Sequence, residues 1–154
     1  MQGKITLPVI RNNIAFESVS SNKNNKSFEI THIFWDKNNV NKVRYFAERS
    51  FNGCNELIYF EMPEVESGES IVIGTNAFNG SKKLFGSDAT EASRLSKIFF
   101  KNVSALGRGA FWNFRISVPA TTVYLPGILS DLGDSCLGYS DFGTVQFGNT
   151  EEPS

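Results

Sequence analysis

Residues Leu95 to Phe111 set a template that most of the chain repeats. They hold Leu95, Ile98 and Phe100 at the spacing L-x-x-I-x-F, then Val103, then Leu106-Gly107-Arg108-Gly109-Ala110-Phe111. In outline this is an apolar strand, a short turn, and a hydrophobic-small-x-x-small-aromatic closing segment. The strand half recurs at Ile30/Ile33/Trp35, Leu57/Phe60/Met62, Ala120/Val123/Leu125 and Phe142/Val145/Phe147, with a shorter trace at Ile5/Leu7. The closing half recurs as Phe46-Ala47-x-x-Ser50-Phe51, Ile73-Gly74-x-x-Ala77-Phe78 and Leu132-Gly133-x-x-Cys136-Leu137, and more weakly as Ile14-Ala15-x-x-Ser18-Val19. Val43 and Leu129 keep the Val103 position. A repeat of this kind changes the meaning of every residue in it.

One such unit cannot bury its apolar stripe alone, whereas stacked units share a continuous core. The spacing of roughly 22 to 28 residues suits a stack of short strands. The small residue after Leu106 or Ile73 is expected to be a glycine held at positive φ in a tight corner. Ala77 and Ala110 leave room for the neighbouring coil, and the following aromatic fills the space between layers. That role accounts for many of the 14 phenylalanines. The pattern predicts short parallel strands near residues 31–34, 58–61, 97–100, 122–125 and 144–147, with Ile33, Phe60, Ile98, Val123 and Val145 in one buried column.

The closing segment Ala47-Glu48-Arg49-Ser50-Phe51-Asn52-Gly53-Cys54 resembles that of the BspA-like (Treponema-type) leucine-rich repeats, whose units end in hydrophobic-Gly-x-x-Ala-Phe-x-x-Cys. Met62-Pro63 and Leu125-Pro126 match the Leu/Ile-Pro that closes the family's strand, while Ser81 and Phe114 stand where its Cys falls. The resemblance covers residues 28–147 and, loosely, 2–19. It implies a mainly β, right-handed leucine-rich-repeat solenoid of about five to six coils, with a parallel sheet and short irregular or helical turns. Residues 1–154 would form a single domain, with 29–148 as repeats and 1–28 as a cap or a degenerate first repeat. Members are commonly bacterial surface interaction proteins. The resemblance therefore implies protein binding or cell adhesion without naming a partner, since fold alone does not fix function.

A net charge of -1 supplies no basic field for nucleic acid. No apolar run approaches the ~20 residues that span a bilayer, so membrane insertion is not expected. Ile5 and Leu7 follow Met1 too closely for a signal peptide. The expectation is an intracellular or assembly-associated chain, or a cell-surface or secreted one if it is an excised domain. The search for catalytic chemistry returns no set. His32 is the one histidine and reads as a surface residue without a nucleophile motif. Two cysteines and one histidine make no zinc spacing, and no phosphate-binding glycine loop is present. Glu61, Glu64 and Glu66 are close in sequence, but nothing singles them out. No enzyme activity, cofactor or metal is expected. Cys54 and Cys136 are expected to be buried, separate and unlinked.

The stretch Ser20 to Ser27 reads as a polar surface loop, and 64–69 and 85–94 as insertions on the outer face or an edge. Strand alternation assigns outward positions to His32 and Phe34, Tyr59 and Glu61, Lys97 and Phe99, Thr122 and Tyr124, and Thr144 and Gln146. Phe34, Tyr59, Phe99 and Tyr124 are the large aromatics among them, and such a strip is expected to be a contact site. The reading is a non-catalytic module that recognises a protein or surface glycan through its sheet face. The alternative is a structural subunit that associates with its own copies in a larger assembly, such as a virion component.

Overall fold

A computed structural model of the chain describes residues 4–7, 31–35, 43–114, 121–140 and 143–148. The elements run β1 (Lys4–Leu7), β2 (His32–Trp35), β3 (Tyr45–Phe46), β4 (Tyr59–Phe60), β5 (Ile71–Ile73), α1 (Ala89–Phe100), β6 (Val103–Leu106), β7 (Thr122–Pro126), β8 (Asp131–Leu132) and β9 (Thr144–Gly148). Among the described residues the fold is mostly sheet, with one short helix. Its sheets have the orders β1-β2-β4, β3-β5-β6-β8 and β7-β9. All of these pairings are parallel.

Register follows the template. Ile5 pairs with Ile33 and Ile33 with Phe60; Phe46 pairs with Ile73, Ile73 with Leu106, and Leu106 with Leu132. β1 pairs with β2 in parallel. The weak copy at Ile14 to Val19 and the loop at Ser20 to Ser27 lie outside the described residues.

A third ladder joins the closing segments, layer to layer. The N–H groups of Phe51, Phe78 and Phe111 donate to the carbonyls of Ala77, Ala110 and Cys136, each at 2.8 Å. Gly53, Gly80 and Asn113 repeat the step onto Asn79, Trp112 and Gly138, also at 2.8 Å. These turns satisfy backbone groups that burial would otherwise leave unpaired. Positive φ recurs twice per layer, at Arg49 (58°), Asn76 (54°), Gly109 (60°) and Ser135 (54°), and again four residues on at Gly53 (77°), Gly80 (81°), Asn113 (56°) and Tyr139 (53°). The glycine after the hydrophobic residue is in neither row. Gly107 lacks positive φ, and a Cβ there would lie 2.5 Å from the Thr75 nitrogen of the preceding layer. Gly133 stands likewise 2.4 Å from the Arg108 nitrogen. Close backbone approach, and not the corner expected from sequence, excludes a side chain at these two sites.

The closing aromatics Phe51, Phe78 and Phe111 are wholly buried and form a column. Phe51 and Phe78 stack at 5.1 Å between centroids, and Phe78 and Phe111 at 5.2 Å. Phe46, Phe60, Phe99, Phe100 and Phe114 pack edge-on around it. Offset and edge-to-face pairs each add about 0.5–1.5 kcal/mol beyond the area they bury.

The strand expected at 97–100 is instead the last turn of α1. Asp88 caps this helix, its Oδ1 accepting the Glu91 N–H at 2.8 Å. Ala, Glu, Arg, Leu and Lys then favour helix. The buried face is Ala92, Ser96, Phe99 and Phe100, at helical and not strand spacing. The change of element reverses the expected sides. Phe99 is 2% exposed and lies in the core, whereas Ile98, expected in the buried column, is 52% exposed. Of that column, Ile33, Phe60 and Val123 are buried and Val145 is partly buried.

Candidate functional site

β2 and β4 pair in parallel at His32↔Tyr59, so alternate side chains of the two strands share one face. There His32, Phe34 and Tyr59 form a half-buried aromatic group. Their ring centroids are 6.2 Å apart for His32 and Phe34, 6.1 Å for His32 and Tyr59, and 5.7 Å for Phe34 and Tyr59. The His32 Nδ1 is 2.9 Å from the Thr31 hydroxyl. Burial raises the Tyr59 pKa, and the Glu61 carboxylate adds to the rise while Arg94 opposes it. Tyr59 is therefore a neutral phenol at physiological pH.

Glu61 is committed to the scaffold. Its carbonyl accepts the Trp35 indole N–H at 2.6 Å, and its carboxylate accepts the Trp35 backbone N–H at 3.1 Å. Trp35 thereby gains the polar partner that a buried indole needs. Glu64 and Glu66 are exposed in the 64–69 insertion, which Arg44 ties to β3's layer through an ion pair with Glu69.

Helix α1 stands beside β4 at the place a strand would occupy. On its far side it completes β7 with serine hydroxyls. Ser93 Oγ accepts the Thr122 N–H at 3.0 Å, and Ser96 Oγ donates to the Thr122 carbonyl at 3.2 Å. The Tyr124 N–H reaches Ser96 Oγ at 3.4 Å. Toward β4 the helix instead leaves a cleft of about 130 Å³, lined by Tyr59, Phe60, Met62, Arg94, Leu95 and Ile98 among others. Arg94 is held across the mouth by a two-point pair with Glu91, at 2.9 and 2.6 Å. The hydrogen-bonded partner keeps Glu91 ionised to lower pH than usual. Farther along the helix, the Lys97 Nζ lies 5.5 Å from the centre of the Tyr124 ring, within cation–π range.

Of the four residues expected in a contact strip, Phe34 and Tyr59 are brought together. Tyr124 lies on the other side of α1, half-buried beside Lys97. Phe99 does not belong to the strip, because the helix turns it into the core. Arg94, Lys97 and Ile98 replace it on the outer surface. Their place was signalled by the Asp88-x-x-Glu91 start and by the spacing of Ala92, Leu95 and Phe99. The site can offer apolar and aromatic contact flanked by cations.

Among the described residues, no helix is long and apolar enough to cross a membrane. Cys54 and Cys136 are buried free thiols. No family model, curated protein or solved structure matches this chain.

Proposed function

We propose that the chain is a right-handed BspA-like leucine-rich-repeat solenoid, and that it binds another protein through the face built by β2, β4 and α1. It acts without catalysis and needs no cofactor or metal. The observation that carries this reading is the cleft between β4 and α1. It sets an exposed Ile98 and Arg94 opposite Tyr59, which packs against Phe34. Aromatic and arginine side chains around a partly desolvated pocket are the composition of protein-binding hot spots. The stacked layers beneath hold these groups in fixed register, which limits the ordering cost of association.

The test is site-specific photo-cross-linking in extract of the source cells. A photoreactive residue replaces Ile98 in one sample and Glu66, exposed on the insertion, in another. A discrete protein adduct formed from position 98 and not from position 66 supports the reading. An adduct that disappears on deglycosylation assigns the face to a surface glycan, and equal labelling from both positions overturns it. A second reading, a structural subunit that meets its own copies, is favoured by Leu132 and Phe147, apolar side chains left exposed on β8 and β9.

A further inference from the structure

The turn ladder carries a second concave surface, which shares no lining residue with the cleft between β4 and α1. It is a groove of about 520 Å³ that runs from Glu48, in the closing segment at 46–51, to Ser135, in the one at 132–137. That volume falls within the about 300–1,000 Å³ of small-molecule sites.

The absence of two side chains shapes the groove. Gly109 lies in its floor. The equivalent positions are Arg49, Asn76 and Ser135, which hold positive φ with a side chain in place, so conformation alone does not call for glycine here. Space does. A Cβ at Gly109 would run into the Asn76 Oδ1 and lie 3.7 Å from the Trp112 Cβ. Without it a gap stays open between Asn76 and Trp112. Gly138 does the same for the indole, since a Cβ there would lie 2.5 Å from the Trp112 Cε3. The half-buried Trp112 ring thus rests against the next closing segment, and the Tyr139 ring packs on it at 4.7 Å between centroids. Tyr139 is itself 70% exposed and extends the aromatic surface.

Around this platform the groove is polar, and its polar groups are planar. Asn79 Nδ2 donates to Asn76 Oδ1 at 3.2 Å. That bond fixes both amides and leaves the Asn76 amino group as a donor and the Asn79 carbonyl oxygen as an acceptor. The charged lining side chains are Glu48 and Arg108, of opposite sign. A phosphate or sulfate would meet the carboxylate as well as the cation, and an apolar ligand would strip water from the amides without replacing it. A pyranose ring suits both parts. Its C–H face can pack on the indole, whose π face is negative. Its hydroxyls, each a donor and an acceptor, match the amides, the carboxylate and the guanidinium.

We propose that this groove binds a neutral oligosaccharide, with one sugar ring stacked on Trp112 and its hydroxyls held by Asn76, Asn79 and Arg108. The site is separate from the β2–β4–α1 face and stands whatever that face binds.

Nuclear magnetic resonance of the isotope-labelled chain tests it, because one of its two tryptophans reports on the site and the other is a control. Trp35 is 2% exposed and gives its indole N–H to the Glu61 carbonyl. Cellotetraose, maltotetraose, mannotetraose and chitotetraose are titrated separately at millimolar concentration. At least one is expected to shift the Trp112 indole signal while the Trp35 signal stays in place. Trp112→Ala, followed at the Asn76 and Asn79 side-chain amides, should weaken that sugar's binding by about tenfold or more. An unmoved Trp35 signal shows that the variant is folded. Should it not fold, Arg108→Ala, changed at an exposed side chain, is expected to weaken the same titration severalfold. Adenosine monophosphate and inorganic phosphate are the counter-probes. A panel in which no sugar moves the Trp112 signal overturns the proposal, as does equal binding by a folded variant. A response to adenosine monophosphate or phosphate as strong as to any sugar overturns it in favour of a stacked base or an anion.

Discussion

Two small residues in each closing segment do different work. At Gly107 and Gly133 the backbone of the preceding layer passes where a Cβ would sit. Gly107→Val must therefore push two layers apart, and is expected to lower stability by at least the ~1–3 kcal/mol typical of overpacking, read from urea midpoints. At the other small position, Ala77 and Ala110 are matched by Ser50, whose buried hydroxyl has no hydrogen-bond partner among the described residues. Ser50→Ala removes that desolvated group and is expected to raise stability by about 1 kcal/mol in the same titration. The thiols respond to pH through the same burial. Desolvation pushes Cys54 up from 9.0 to about 12, and Cys136 is raised as well, chiefly by burial. The folded state thus holds the thiol form where the unfolded chain would ionise. This contribution to stability is complete below pH 9 and is lost as pH climbs from 9 toward about 12. Native protein at neutral pH should label far more slowly with a thiol reagent than denatured protein, which should show two reactive thiols.

Helix α1 holds its place through its serines. Without Ser93 and Ser96 the edge of β7 loses the hydroxyls that meet Thr122 and Tyr124. Ser93→Ala with Ser96→Ala is expected to speed hydrogen exchange at the Thr122 and Tyr124 amides while Phe78 and Phe111, deeper in the turn ladder, stay protected. Equal protection in both proteins would mean the helix merely leans on β7. This element was also the least legible from sequence. Leu95, Ile98 and Phe100 fit the strand spacing of the other copies, but Ala92, Leu95 and Phe99 fit a helix as well, and Asp88 with Glu91 supplies the start signal. The cap and the helical face decided the outcome. By contrast, the closing segments at 46–51, 73–78 and 106–111 read correctly in their core positions, because each residue there is fixed by its own turn and by the layer beneath, whereas in the 132–137 copy Leu132 is exposed and Leu137 only partly buried. The glycines were located correctly and explained by the wrong cause, since close backbone approach between layers leaves no trace in a single unit's sequence.

At the scale of the molecule, the parallel sheets and the turn ladder join successive segments, and one face among the described residues differs from the rest. Phe34 and Tyr59 were legible as part of that face from alternation alone. Ile98, Arg94 and Lys97 were not, because the helix reverses which side chains point outward. The consequence is a clean separation of surface from core at adjacent residues. Ile98→Lys adds a cation near a helix C-terminus, where the dipole favours it, and removes a side chain that is already 52% exposed. Phe99→Ala empties a site packed against Phe60, Phe78 and Phe111, with an expected cost of about 3–5 kcal/mol. The decisive measurement sets the melting temperature of each variant beside its partner capture through a photoreactive residue at Tyr59. Ile98→Lys is predicted to melt within a few degrees of the parent and to lose the adduct. Phe99→Ala is predicted to melt far lower. An Ile98→Lys protein that folds normally and captures the same partner at the parent's level would contradict the assignment of this face.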